Sequence, residues 1–257
     1  MSYALTDSLT MLRRELVHVK RYPITLFTAG IPVVLLLLFV FVFGDTLGNG
    51  LPGGGEGRAA YADYLAPGIL LFTVVSGAQV TAIGVAMDMT QGIVARLKTM
   101  DIWRPAVLAG HVLSSLAQTL VSLLAVLAAA LLVGFSPDAN PLGWLGAFGV
   151  MLMLALALTW LSVALGLVAK TVESASNLPM FLMLLPFLGS GFVPAESMPA
   201  GLKWFAENQP FTPINETLRG LLTSAPVDSS DAVAAVIWCA VITAGSYVWA
   251  LRLYNRR

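Results

Sequence analysis

The chain has 257 residues, of which 58% are apolar and only 11% charged, with a mean hydropathy of +0.83. An average soluble domain carries about 25% charged residues, so a water-soluble globule of this length is excluded. The excess apolar side chains must face lipid or a partner. Fourteen basic and fourteen acidic residues cancel, leaving no overall basic field for nucleic acid. The single cysteine, Cys239, permits no intrachain disulfide.

In chain order, Leu5, Leu9, Leu12, Leu16 and Val19 recur at alternating spacings of four and three, one face of a helix. Arg13, Lys20 and Arg21 lie mostly off that face. The pattern predicts an interfacial helix over 1–22 on the cytoplasmic membrane surface, ended by Pro23. A spanning helix needs about 20 mostly apolar residues; segments 24–44, 65–87, 105–134, 141–169 and 232–251 meet this. Segment 178–193 is apolar but shorter, and it carries Pro179, Pro186, Gly189 and Gly191. It is expected to be a broken span, because irregular backbone at membrane depth survives only where protein or water satisfies it. The outer loop 45–64 is linker-like. Its Gly53–Gly55 run is followed by Glu56, Gly57 and Arg58 instead of Lys-Ser or Lys-Thr, so it is no phosphate loop.

Six spans place both termini on one side. That side would hold eleven of the fourteen basic residues and five acids, against three basic and nine acidic residues opposite. The positive-inside rule therefore predicts cytoplasmic termini.

Chemistry-bearing residues are sparse. No Asp, Glu, Lys or Arg falls at mid-depth in any predicted span; Asp88 and Lys170 stand at span ends. A proton-coupled transporter or cation channel would want such groups, so both readings lose ground. His111, about two turns into the third span, is expected to be a satisfied polar residue at a helix contact rather than a proton relay. Asp88 to Arg96 resembles the opening of the CDP-alcohol phosphotransferase signature, but Gln91, Ala109 and Leu113 replace three of its four metal-binding aspartates. No catalytic and no metal-binding residue is assigned. Residues 88–104 fit a short cytoplasmic helix instead, capped by Asp88 with Gln91 three residues on. Its face of Ile93, Leu97 and Met100, flanked by Arg96 and Lys98, suits a groove on a partner or packing beneath its own bundle.

Two stretches resemble the membrane subunit, or permease, of type-2 ATP-binding-cassette exporters, especially the daunorubicin-resistance-like group. In the first, Asp88, Gly92, Arg96 and Leu97 follow the family's pattern of acid, Gly and Arg-Leu between spans two and three, although Met89, Ala95 and Asp101 depart from it. The second runs from Gly191 through Pro194, Glu196 and Pro199, then from Trp204 to Pro213, then to Glu216 and Arg219. It is similar to the family's short re-entrant helices after span five, here 194–231.

The resemblance implies an all-α membrane protein: one transmembrane domain over 1–257 with six spans, the interfacial helix, a coupling helix over 88–104 and the re-entrant region. It implies no cofactor in this chain, with ATP and Mg on two copies of a cytoplasmic ATPase subunit. It also implies a second permease, identical or related, and a surrounding lipid membrane; no nucleic-acid partner is expected. Asp88, Gln91, Gly92, Ile93, Arg96, Leu97 and Lys98 would couple to the ATPase. Phe187, Leu188 and Phe192 would close the cavity near the outer end of span five, or else serve as packing. The expected function is export of amphipathic or hydrophobic compounds (drug, polyketide or lipid) across a bacterial plasma membrane. A standalone transporter, or a polyketide or polysaccharide exporter of the same fold, is the alternative.

Overall fold

The computed structural model describes residues 24–49, 57–91, 104–223 and 226–256. The expected interfacial helix 1–22, and residues 92–103 of the expected coupling helix, lie outside them. The described chain is helical, without a strand. Helix α1, Ile24–Leu38, continues through a π-helical turn, Phe39–Phe43, into α2, Gly44–Gly48. The helices that follow are α3 Gly57–Thr90, α4 Arg104–Val133, α5 Pro141–Val168, α6 Val172–Asn177 and α7 Met180–Leu184. A 3-10 turn at Ala195–Ser197, α8 Ala200–Asn208, α9 Phe211–Leu222 and α10 Ser229–Arg256 complete the chain.

Helix ends follow local chemistry. Gly134, at φ +112°, stops α4: its N–H donates to Leu131 O while that of Phe135 donates to Ala130 O. This Schellman arrangement needs the left-handed conformation that glycine adopts without strain, and it drops the Phe135 ring into the core. Asn140 then starts α5, its Oδ1 accepting from Gly143 N at 2.7 Å, with Pro141 in the first helical position where no donor is missed. Thr171 and Ser174 cap α6 reciprocally.

Among the described residues, five helical stretches are long and apolar enough to cross a membrane: Thr28–Gly48, Gly57–Thr90, Leu108–Val133, Pro141–Val168 and Ser229–Tyr254. They correspond to the five continuous spans expected from sequence. Segment 178–193 forms α7 and a run of turns. Pro179 and Pro186 lack the N–H a helix would use, and Gly189 and Gly191 add no side chain to hold one. Helix α3 is the central element, packing against α1, α4, α5 and α9. With 34 residues at about 1.5 Å each it reaches roughly 50 Å, well beyond the ~30 Å hydrocarbon layer. Tyr61, Leu65, Ile69 and Leu71 of α3 pack with Leu36, Leu154, Leu158, Ile214 and Leu218 in the main core. The outside is apolar too: Leu132, Leu142 and Phe181 are 89%, 77% and 74% exposed. A protein with its hydrocarbon on both inside and outside is built for lipid, and this is a multi-pass membrane protein.

Candidate functional site

The broken segment after α7 is held by a clamp from α9. Arg219 lies one turn beyond Glu216 on that helix and forks both Nη1 contacts onto its carboxylate, at 2.6 and 2.7 Å. Its Nη2 donates to Ser190 O at 2.9 Å and to Tyr64 O at 3.4 Å. The guanidinium also lies 3.8 Å from the centroid of the Tyr64 ring, while Tyr64 OH donates to Ser190 O at 2.8 Å. The Ser190 carbonyl thus has both lone pairs engaged, one by α3 and one by α9. One arginine ties three elements together, using the planar, charge-assisted donors that a lysine could not reproduce. The backbones meet closely here: a methyl group on Gly68 would collide with the Gly191 carbonyl.

Beside the clamp the structure brings together two of the three residues expected to close a cavity. Phe187 and Phe192 stack with centroids 4.2 Å apart. Phe72 of α3 meets Phe187 edge-on at 5.4 Å, and Phe39 of the π-helical turn lies 5.3 Å from Phe192. Phe192 is buried, Phe187 and Leu188 half-buried. The cluster joins α1, α3 and the broken segment through rings, which interact at such spacings beyond simple area burial. Leu188 continues the turn through its N–H to Leu184 O, 3.1 Å.

At the other end of α3, Asp88 stands within the end of a helix instead of at the start of one. It lies inside the last turn of α3, and Gln91 N donates to Met87 O at 2.9 Å, so residues 87–91 close an α-turn incompatible with an extended N-cap. A carboxylate at a helix C-terminus is unfavourable against the dipole. His111 of α4 offsets this, its Nε2 3.2 Å from Asp88 Oδ2 with both side chains largely buried. His111 is therefore a partnered polar residue at a helix contact, as expected. Gly92, Ile93, Arg96, Leu97 and Lys98 lie outside the described residues.

Between these sites runs a seam of hydroxyl groups, which no pattern of ionisable residues marks in the sequence. Thr28 Oγ1 and Ser122 Oγ are 3.0 Å apart, joining α1 to α4, and Ser76 of α3 donates to Thr73 O at 2.9 Å and Thr28 O at 3.4 Å. Ser115 of α4 bonds Thr81 of α3 and lies 3.4 Å from Thr159 of α5. Small residues let these helices approach: a methyl group on Gly77 would come 2.6 Å from Thr119 Oγ1, and one on Gly166 2.6 Å from Ala82 O. Serine and threonine bonds with small-residue contacts are how helices associate in lipid. An apolar crevice of about 160 Å³ opens between α3, α4, α5 and α9, lined by Leu70, Leu124, Trp144, Met151 and Leu218 among others. These surfaces can enclose apolar or amphipathic matter.

Residues 6–223 match the family described as ABC-2 type transporter. The chain is 28% identical over 221 residues to the daunorubicin resistance ABC transporter permease protein DrrB1 of Streptomyces coeruleorubidus, covering 85% of this chain and 76% of that one. It is 24% identical over 210 residues to the probable doxorubicin resistance ABC transporter permease protein DrrC of Mycobacterium tuberculosis, with 82% and 75% covered. The putative transport permease ycf38 of Pyropia yezoensis is 27% identical over 234 residues, with 89% and 78% covered. The matched region takes in α1 to α9, and with them the arginine clamp and the phenylalanine cluster. The chain belongs to the ABC-2 type transporter family of membrane permeases.

Proposed function

We propose that the chain is the membrane subunit of an ATP-driven exporter of amphipathic or hydrophobic compounds, powered by a separate cytoplasmic ATP-binding-cassette ATPase. The observation that carries this reading is the family match over 6–223, joined to relatives named for daunorubicin and doxorubicin resistance. The charge asymmetry of the sequence supports cytoplasmic termini in a bacterial plasma membrane, with 178–193 as a broken fifth span and 194–231 as the outer re-entrant region. Two such permeases, identical or related, would enclose the pathway, with two ATPase subunits beneath them supplying ATP and Mg.

In this mechanism ATP-driven closure of the ATPase pair moves the segment 88–104, through Asp88, Gln91, Gly92, Ile93, Arg96, Leu97 and Lys98. The His111–Asp88 contact fastens the start of that segment to α4, so motion of the loop is transmitted to both α3 and α4. Midway along α3, Phe72 meets Phe187, and Phe187, Leu188 and Phe192 act as the apolar closure. A drug-like cargo, having no mid-membrane charge to recognise it, is selected by shape and apolar area.

The test is ATP-dependent uptake of daunorubicin into inside-out membrane vesicles carrying this chain with its ATPase. Uptake that requires both chains and is abolished by blocking hydrolysis is expected. Vesicles with an active ATPase complex that accumulate no anthracycline or other amphipathic dye would refute the cargo class.

A further inference from the structure

The apolar crevice of about 160 Å³ takes its walls from Leu70 of α3, Leu123 and Leu127 of α4, Ala147 and Met151 of α5, and Leu218 of α9. Among the described residues its lining carries no charged side chain, and the Trp144 indole is its one hydrogen-bonding group. A shallower continuation of about 20 Å³ shares Leu120, Leu123, Phe148 and Met151 with it and reaches Leu116 and Ala155. Together they form one groove along the contact of α4 with α5. On α4 it follows Leu116, Leu120, Leu123 and Leu127, and on α5 Trp144, Ala147, Met151 and Ala155. Steps of three and four keep each set on one helix face.

From Leu116 to Leu127, and from Trp144 to Ala155, the groove covers about 16 Å at the helical rise, half of the ~30 Å hydrocarbon layer. Trp144 follows closely on Pro141, the first residue of α5, at the level where aromatic belts mark the edge of the hydrocarbon. The groove therefore runs from one membrane interface to about the midplane, which is the depth of a single leaflet. It opens at Leu120, Leu124 and Phe148, all exposed. Left empty, it would forfeit the dispersion contacts of its walls. A polar or charged ligand would find no partner along its length. A helix of a second copy, about 10 Å across with its side chains, could cover the rim but is too wide to enter a crevice of about 160 Å³. Lipid tails are as apolar as leucine, and a single tail is thin, flexible and one leaflet long.

We propose that one acyl chain of a membrane lipid resides in this groove, its headgroup end at Trp144 and its methyl end near Leu116 and Ala155. The chain fills the space between α9 and the α4–α5 pair, against Leu218 and Met151. The assignment requires only that the protein crosses a membrane, and it does not depend on the cargo or on the ATPase.

Carbene labelling tests this on the full-length permease in nanodiscs of phospholipid carrying a diazirine midway along one acyl chain. Ala147 and Met151 line the crevice but are only 4% and 6% exposed, whereas Val121, at similar depth on α4 and outside the lining, is 60% exposed. Lipid that merely surrounds the protein would label Val121 and spare the other two. A resident chain is expected to label Ala147 and Met151 at least as strongly as Val121, and several-fold more than Leu154 and Leu158 of the closed core. Labelling of Ala147 and Met151 at the level of Leu154 and Leu158 would overturn the proposal. Labelling that excess daunorubicin removes would make the groove a cargo site and would overturn it too. Ala147→Leu, which fills the crevice from within, should lower the label on Met151 several-fold and leave that on Val121 unchanged. An unaltered label on Met151 in that variant would count against a resident chain, and the wild-type pattern decides the matter if the variant does not fold.

Discussion

Arg219→Met removes the clamp while keeping most of the aliphatic stem. Three things go at once: the forked pair with Glu216, the bonds to the Ser190 and Tyr64 carbonyls, and the contact with the Tyr64 ring. Deleting one partner of a well-buried ion pair costs about 3–5 kcal/mol, but the Glu216 side chain is 33% exposed against 14% for Arg219, so solvent recovers part of that. The lost stacking contributes about 1 kcal/mol. Ser190 O keeps its bond from Tyr64 OH, which limits the remainder. The balance is a destabilisation of about 2–4 kcal/mol, or roughly 5–15 °C in Tm for a chain of this size. Thermal unfolding of the purified permease in detergent, followed by tryptophan fluorescence, reads it directly. Much of the cost is the stranded carboxylate, so Arg219→Met combined with Glu216→Gln should regain part of the loss. A fall below about 2 °C in the single variant, or a double variant no better than the single, would refute the view that this arginine organises the junction of α3, α9 and the broken segment.

Other expectations follow from the same geometry. Gly68→Val forces α3 away from the Gly191 carbonyl and should cost about 1–3 kcal/mol by overpacking, seen as a lowered Tm; an unchanged Tm would mean the two backbones separate freely. Ser115→Ala breaks the bonds to Thr81 and Thr159. At about 0.6 kcal/mol, and up to ~1.7, per interhelical bond in lipid, it should produce a small but measurable loss in a reversible unfolding assay. Phe187→Ala should change export per unit of inserted protein, whereas Leu132→Ala, on an exposed face of α4, should not; equal effects would make Phe187 mere packing.

The elements most legible in the sequence were those set by composition and by near-neighbour chemistry. Twenty-residue apolar runs marked the five helical stretches long and apolar enough to cross a membrane, and Pro179, Pro186, Gly189 and Gly191 marked the interruption. Asp88 was misread because an acid before a polar turn looks the same whether it opens the next helix or closes the last one. Only the continuation of α3 to Thr90, and a histidine from another helix, distinguish the two. The partnership of Arg219 with Tyr64 spans 155 positions, a separation over which one sequence carries no pairing signal. Serine and threonine inside apolar runs read as neutral filler, so the hydroxyl seam emerged only when α1, α3, α4 and α5 were seen side by side. The π-helical turn at Phe39–Phe43 lies in five uniformly apolar residues and has no sequence mark at all.

The central claim is that this permease works through a separate ATPase engaged by the segment between α3 and α4. It is tested most directly by mild detergent extraction from the native membrane, identification of the co-purifying chains, and assay of ATP hydrolysis with wild-type chain and with Arg96→Ala combined with Leu97→Ala. The account predicts a cytoplasmic ATPase at one copy per permease, with cargo-stimulated hydrolysis lost in the double variant although it inserts normally. A permease that purifies without any ATPase, or a double variant with full stimulated hydrolysis and export, would contradict it.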